Sequence, residues 1–191
     1  QTIYVRTAPI HDANGDLVTA DAFSGKTIDV KGVVDYFEGQ LDLQRGCIRC
    51  VGKAEERFEE DALRMFRALR FSARLGFDIE EKTLAAIEKK AHLAASLAPE
   101  RICQELEKLL ITQRPAKVYS LLSMGLLDSY LVKRPTDEAP FKALGNFPPK
   151  ATDRWCGLCI ALKKQGCIDW VEGFLRALHL DSRTVSVCQE V

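Results

Sequence analysis

What this chain lacks narrows it before anything it contains. Across its 191 residues no apolar run reaches the roughly 18 needed to span a bilayer, and Gln1 opens no charged-then-apolar leader. No membrane partner is expected, and the cytoplasm is the expected compartment. Net charge is missing as well. Its 27 basic side chains meet 27 acidic ones, so bulk attraction to nucleic acid is excluded and any such affinity must come from a local basic surface. There is no internal repeat and no low-complexity tract, which sets aside a repeat architecture. No methionine stands at position 1, and the helical pattern is still running at the last residue. The chain is therefore expected to begin and to end inside a longer translated protein.

What is present is enough for a packed core: 47% of residues are hydrophobic, in a length that suits one ordinary domain or two small ones. Cysteines stand at 47, 50, 103, 156, 159, 167 and 188, and include two C-x-x-C pairs. A zinc site is the obvious question. In "GCIRCVG" the context is a short strand, where positions three apart point to opposite faces. In "RWCGLCIAL" both cysteines sit in an apolar helical run, where a free thiol is an ordinary small core group. Reduced structural cysteines are expected, and no metal ligands are assigned, including His11, Asp12, Asp16 and Asp21 of the turn-rich opening.

Residues 1–52 alternate short β-branched stretches ("TIYVR", "KTIDV", "CIRCV") with turn signals such as "ANGD". They read as a partial, strand-containing unit. From Glu55 the period becomes helical. "EEDALRMFRALRFSAR", residues 59–74, is expected to form one helix stopped by Gly76. Its apolar face carries Ala62, Met65, Phe66, Leu69 and Ala73; Arg64, Arg67, Arg70 and Arg74 fall on the other side. Further helices are expected near 80–95, 100–111, 116–124, 151–164, 168–179 and 182–190. Four prolines between 132 and 150 predict a linker or long loop. The fold class expected is mainly α, divided into a partial head or hinge at 1–52, a neck at 53–131, a linker at 132–150 and a body segment at 151–191. His92 and His179 are expected to pack or face solvent, and Trp155 and Trp170 to anchor the core.

Asp61 and Arg64 form at least an i,i+3 ion pair, worth about a few tenths of a kcal/mol on a surface. The arginine stripe lacks acidic partners four residues before Arg67, Arg70 and Arg74, so it requires an external anion or a carboxylate from another element. A carboxylate only accepts hydrogen bonds and a guanidinium only donates them. Side by side they match a base edge that sets an amino group beside a ring nitrogen, as cytosine and adenine do. Uracil and guanine present the opposite polarity. A rigid pair of this kind can discriminate by about 10⁴ or more, because the wrong base strands buried polar groups.

Residues 32–87 resemble the class II tRNA nucleotidyltransferase and bacterial poly(A) polymerase family. Asp35, Gly39, Asp42 and Leu43 match its D-x-x-x-G-x-x-D-L stretch, and Glu60, Asp61 and Arg64 match its E-D-x-x-R motif. "PERICQEL", 99–106, looks like its E-R-I-x-x-E-L motif, and "RWCGLCIAL" resembles a body helix of the Firmicutes-type CCA-adding enzymes. The resemblance implies that Asp61 and Arg64 template the incoming base with help from Arg67. It makes Glu60, Glu100, Arg101 and Glu105 structural supports, and Asp35, Gly39 and Asp42 a hinge. Arg70 and Arg74 would meet RNA or triphosphate. It also implies tRNA as partner, CTP and ATP as substrates, and Mg²⁺ as cofactor; homodimerisation stays open.

The family's metals sit on head-domain carboxylates in a D-x-D context, and this chain contains no D-x-D and no R-R-D-F-T-x-N-A motif. No catalytic residue is assigned, and the chain alone is expected to be inactive. Three rivals remain, the first two being a poly(A) polymerase of the same family and a non-catalytic helical RNA-binding or scaffold protein. A metal-binding module on the C-x-x-C pairs is third.

Overall fold

The computed structural model describes residues 35–190 and, before them, a two-residue antiparallel pair of strands, β1 (Ile10–His11) and β2 (Leu17–Val18). The expected strands at 2–6 and 26–30 and the turn at 13–16 lie outside the described residues. From Asp35 onward the chain is mainly α. The exception is a parallel pair, β3 (Cys47–Ile48) beside β4 (Asp78–Ile79), with Cys47 opposite Asp78.

The first helix, α1 (Gly39–Arg45), owes its start to Asp35. That carboxylate accepts from the amides of Gly39 and Gln40, each at 2.8 Å, and so satisfies donors that a helix N-terminus leaves open. Asp42 then binds Arg49 Nε at 2.9 Å, which ties α1 to the residue just past β3.

The single helix expected over 59–74 is instead two, α2 (Ala54–Glu60) and α3 (Leu63–Leu75). Asp61 makes the break. Its backbone is extended, at φ −153°, and its Oδ1 accepts from the Leu63 amide at 3.1 Å. A short acidic side chain competes for backbone donors in this way, so it ends one helix and starts the next. Gly76, at φ +74°, then closes α3 in the left-handed region that glycine enters without a Cβ penalty.

Met65, Phe66, Leu69 and Ala73 of α3 are buried as their spacing predicts. They pack against α5 (Pro99–Leu110), which opens on a proline suited to the first helical turn and buries Ile102, Leu106 and Leu109. Between these two helices in the chain runs α4 (Glu81–Lys90), which packs on α2 and continues into a 3₁₀ turn at Ala91–Ser96. Next comes α6 (Val118–Ser123).

The proline-rich stretch does not trail as a free linker. Pro140 sits in the first turn of α7 (Ala139–Lys142), which runs on as a 3₁₀ turn, and Phe141 and Leu144 are fully buried. The Phe141 ring lies 5.5 Å from that of Tyr119. Proline starts a helix as readily as it breaks one, and the two apolar residues behind it supply the burial that holds the segment down.

Three helices complete the fold: α8 (Ala151–Lys164), α9 (Val171–Ala177) and α10 (Ser182–Gln189). Trp155 of α8 is fully buried, and its indole donates to Glu107 of α5 at 3.4 Å. Trp170 departs from the expectation of a core anchor: 66% of it is exposed, because it stands outside α9 at the N-cap position. One apolar core runs from Ile48 to Cys188.

Candidate nucleotide-reading site

The break between α2 and α3 puts Asp61 and Arg64 at the start of a buried helix, and each is held by a different neighbour. Arg64 is almost fully buried. Its Nη1 donates to the Arg57 carbonyl at 2.8 Å and to Glu60 Oε2 at 2.6 Å, while its Nε is buried without a hydrogen-bond partner. The Arg64 hydrogen bond, opposed by desolvation, holds the Glu60 carboxyl below its ordinary range. Asp61 is paired with Arg101 of α5, whose Nη2 lies 3.2 and 3.4 Å from the two carboxylate oxygens. The i,i+3 pairing of Asp61 with Arg64 is therefore replaced by two separate clamps, from Arg101 on one side and from Glu60 and the Arg57 carbonyl on the other.

The arginine stripe is compensated from α5. Glu105 is 5% exposed, too deep for an unpaired carboxylate, and its Oε2 accepts from Arg70 Nε at 2.6 Å. Its Oε1 lies 3.7 Å from Arg67 Nε. Arg70 also lies 4.1 Å over the Phe71 ring. Arg70 thus faces a protein carboxylate and an aromatic ring. Arg74 is exposed at the end of α3. Glu100 also turns away from this cluster. Its Oε1 meets His179 Nδ1 at 2.6 Å, next to α9, and its own backbone amide, then His179, holds the Glu100 pKa below the ordinary carboxylate range. Of the four residues expected as supports, Glu60 contacts Arg64, Arg101 contacts Asp61 and Glu105 contacts Arg67 and Arg70, whereas Glu100 contacts His179.

Local pattern could not show Arg57, whose carbonyl orients Arg64, or Arg49, which stands inside "CIRC" and draws notice only for its cysteines. Arg49 also borders a cleft of about 1030 Å³ that includes Phe37, Leu43, Lys53, Phe71 and Phe77. The cleft does not contain Asp61 or Arg64, although it opens on the Asp35, Gly39 and Asp42 segment.

Among the described residues no group of three or more His, Cys, Asp or Glu is placed to hold a metal ion. Both Asp35 oxygens already accept from backbone amides, and Asp42 is taken by Arg49. The described residues do not fit a Mg²⁺ pair, and no step is assigned to one here. No described helix is long and apolar enough to cross a membrane.

Residues 76–131 match the family described as "Probable RNA and SrmB- binding site of polymerase A". The CCA-adding enzyme of Lactiplantibacillus plantarum is 45% identical over 116 residues, which is 61% of this chain and 28% of that protein. That of Geobacillus kaustophilus is 37% identical over 163 residues, 83% of this chain and 39% of its own length. Among solved structures, the Bacillus stearothermophilus CCA-adding enzyme in complex with CTP superposes with a TM-score of 0.68 at 36% identity, covering 83% of this chain and 40% of that one. This chain therefore spans less than half the length of each of these three relatives.

Proposed function

We infer, for a chain that belongs to the class II CCA-adding enzyme family and spans its neck and body region, that it reads the incoming nucleotide for a tRNA nucleotidyltransferase adding C, C and A to tRNA 3′ ends from CTP and ATP. The observation that carries the reading is the separate clamping of Asp61 and Arg64. Arg101 fixes the acceptor and Glu60 fixes the donor, so neither consumes the other. The Arg64 Nε remains a desolvated donor with nothing to bond, a cost that an acceptor arriving beside it would relieve. A cytosine or adenine edge offers its amino group to Asp61 and its ring nitrogen to Arg64. Uracil and guanine would set acceptor against acceptor and donor against donor.

Arg67 assists at the same site, steadied by Glu105. Asp35, Gly39 and Asp42 act as the hinge toward a catalytic head, which would supply the carboxylates and their Mg²⁺. On this reading residues 53–131 are the neck and 151–191 body. tRNA as the partner is supported by the RNA-binding description of the family matching 76–131, and CTP by the ligand named for the B. stearothermophilus relative. The cytoplasm is the compartment such work implies. A poly(A) polymerase is the second reading, because that same family description names polymerase A. Incorporation of CTP into a tRNA lacking its terminus separates the two.

The test uses the full-length protein carrying Arg64→Ala. Selection among the four nucleotides is expected to collapse while tRNA affinity holds. Equal loss with all four nucleotides, accompanied by lost tRNA affinity, would show that Arg64 does not read the base.

A further inference from the structure

The body helices hold a thiol cluster that nucleotide reading leaves unused. Cys156 on α8 and Cys188 on α10 are both buried, and their sulfurs stand 2.7 Å apart although the residues are 32 positions apart in sequence. The two free thiols are in hydrogen-bond contact, either sulfur able to donate, and a disulfide between them needs an S–S distance of about 2.05 Å. Cys159, one turn along α8, also interacts with the Cys188 thiol, and the Thr152 carbonyl lies 3.8 Å from that sulfur. Both cysteines belong to the apolar core that also includes Leu158, Leu162, Phe174 and Val185.

We propose that Cys156 and Cys188 are a modification site, a dithiol that closes to an intrachain disulfide and staples α10 to α8. The oxidant is a small disulfide. One protein thiolate attacks it and displaces one small thiol, and the second protein thiolate attacks the resulting mixed disulfide and displaces the other. Two protein S–H bonds are lost, one protein S–S bond forms, the small disulfide is reduced to two thiols, and the two protons end on those thiols.

Packing makes the site slow as built. Burial, reinforced by the Cys188 contact, pushes the Cys156 thiol up to about 12, and the Cys159 contact followed by burial pushes Cys188 up as well. Few thiolates exist while α10 is seated. Closure is therefore gated by local opening of α10, an eight-residue helix held at its start by the Asp181 cap on Thr184 and along its length by packing on α8 and α9.

The experiment exposes the protein to oxidised glutathione at neutral pH, alkylates the remaining thiols, and maps peptides by mass spectrometry. A Cys156–Cys188 linked peptide, lighter by two hydrogens, is expected. Its rate of formation should rise with urea at concentrations below the unfolding midpoint. Cys159→Ala should retain the link, and Cys156→Ser or Cys188→Ser should abolish it. The oxidised protein should melt roughly 5–10 °C higher, and dithiothreitol should reverse the shift. A link through Cys159, a persistent glutathione adduct without closure, or no link even in sub-denaturing urea would overturn the proposal. Because the mapping is done on the unsubstituted protein, its result holds even where a serine variant fails to fold.

Discussion

Replacing Glu105 by alanine removes a carboxylate that answers two arginines of α3. When both ions of a pair are sealed from water, deleting one partner costs about 3–5 kcal/mol, mostly for the charge left stranded. Here the relief is partial: 28% of the Arg67 side chain and 12% of the Arg70 side chain reach solvent. Arg67 can therefore rehydrate, whereas Arg70 loses a 2.6 Å bond in a nearly closed site. The expected loss is about 2–3 kcal/mol, at the upper end of what a hydrogen bond to a charged group is worth. Glu105→Gln should cost about half as much, because one neutral hydrogen bond survives. Equilibrium urea unfolding, followed by circular dichroism, reads both values as a change in midpoint at constant slope. Pairing Glu105→Ala with Arg70→Met should cost less than the sum of the single changes by about 1–2 kcal/mol, since the second removes the charge that the first strands. A loss for Glu105→Ala below about 0.5 kcal/mol, the range of an ordinary surface change, would refute the claim that this carboxylate organises the stripe.

Phe141→Ala should destabilise the chain by about 3–4 kcal/mol in the same assay, because removing the fully buried α7 ring beside Tyr119 would leave a cavity; a trivial loss would restore the linker picture. Gly76→Ala places a Cβ at φ +74° and forces the Arg114 guanidinium aside, so a loss of about 1–2 kcal/mol is expected. Acidification should loosen the start of α3. The carboxyl of Glu60 is held below its ordinary range in the folded state, so its contribution is fully present above the unfolded value and is lost as pH falls through the lowered one. Glu60→Gln should flatten that part of the stability-versus-pH curve measured between neutral pH and pH of about 3, and an unchanged slope would argue against the assignment.

Much of this architecture is legible in the sequence, for identifiable reasons. Helices at 99–110, 151–164 and 182–189 follow from apolar periodicity. The break at Asp61 escapes that reasoning, since an acidic residue near a helix start is as consistent with a first turn as with a stop. Only the bond from the Leu63 amide decides which. Prolines at 140, 148 and 149 read as a linker until the burial of Phe141 and Leu144 is known, and burial is a tertiary quantity. At the site, the spacing of Asp61 and Arg64 is local and visible. Their clamps are less so. Arg101 is 40 positions from Asp61 and Glu105 is 35 from Arg70, separations that no periodicity reports and that motif resemblance alone brought to notice. The contact between His179 and Glu100 spans 79 positions, and nothing local announces it.

The indole of Trp155, reaching from α8 to Glu107 of α5, has a mechanical meaning. With no seam in the apolar interior between them, the helices that carry Arg64 and those that carry Cys188 share one lattice of contacts. Such an object behaves as a ruler rather than a pair of jaws. Whatever seats itself along its far end is linked through that shared core to the residues at its near end.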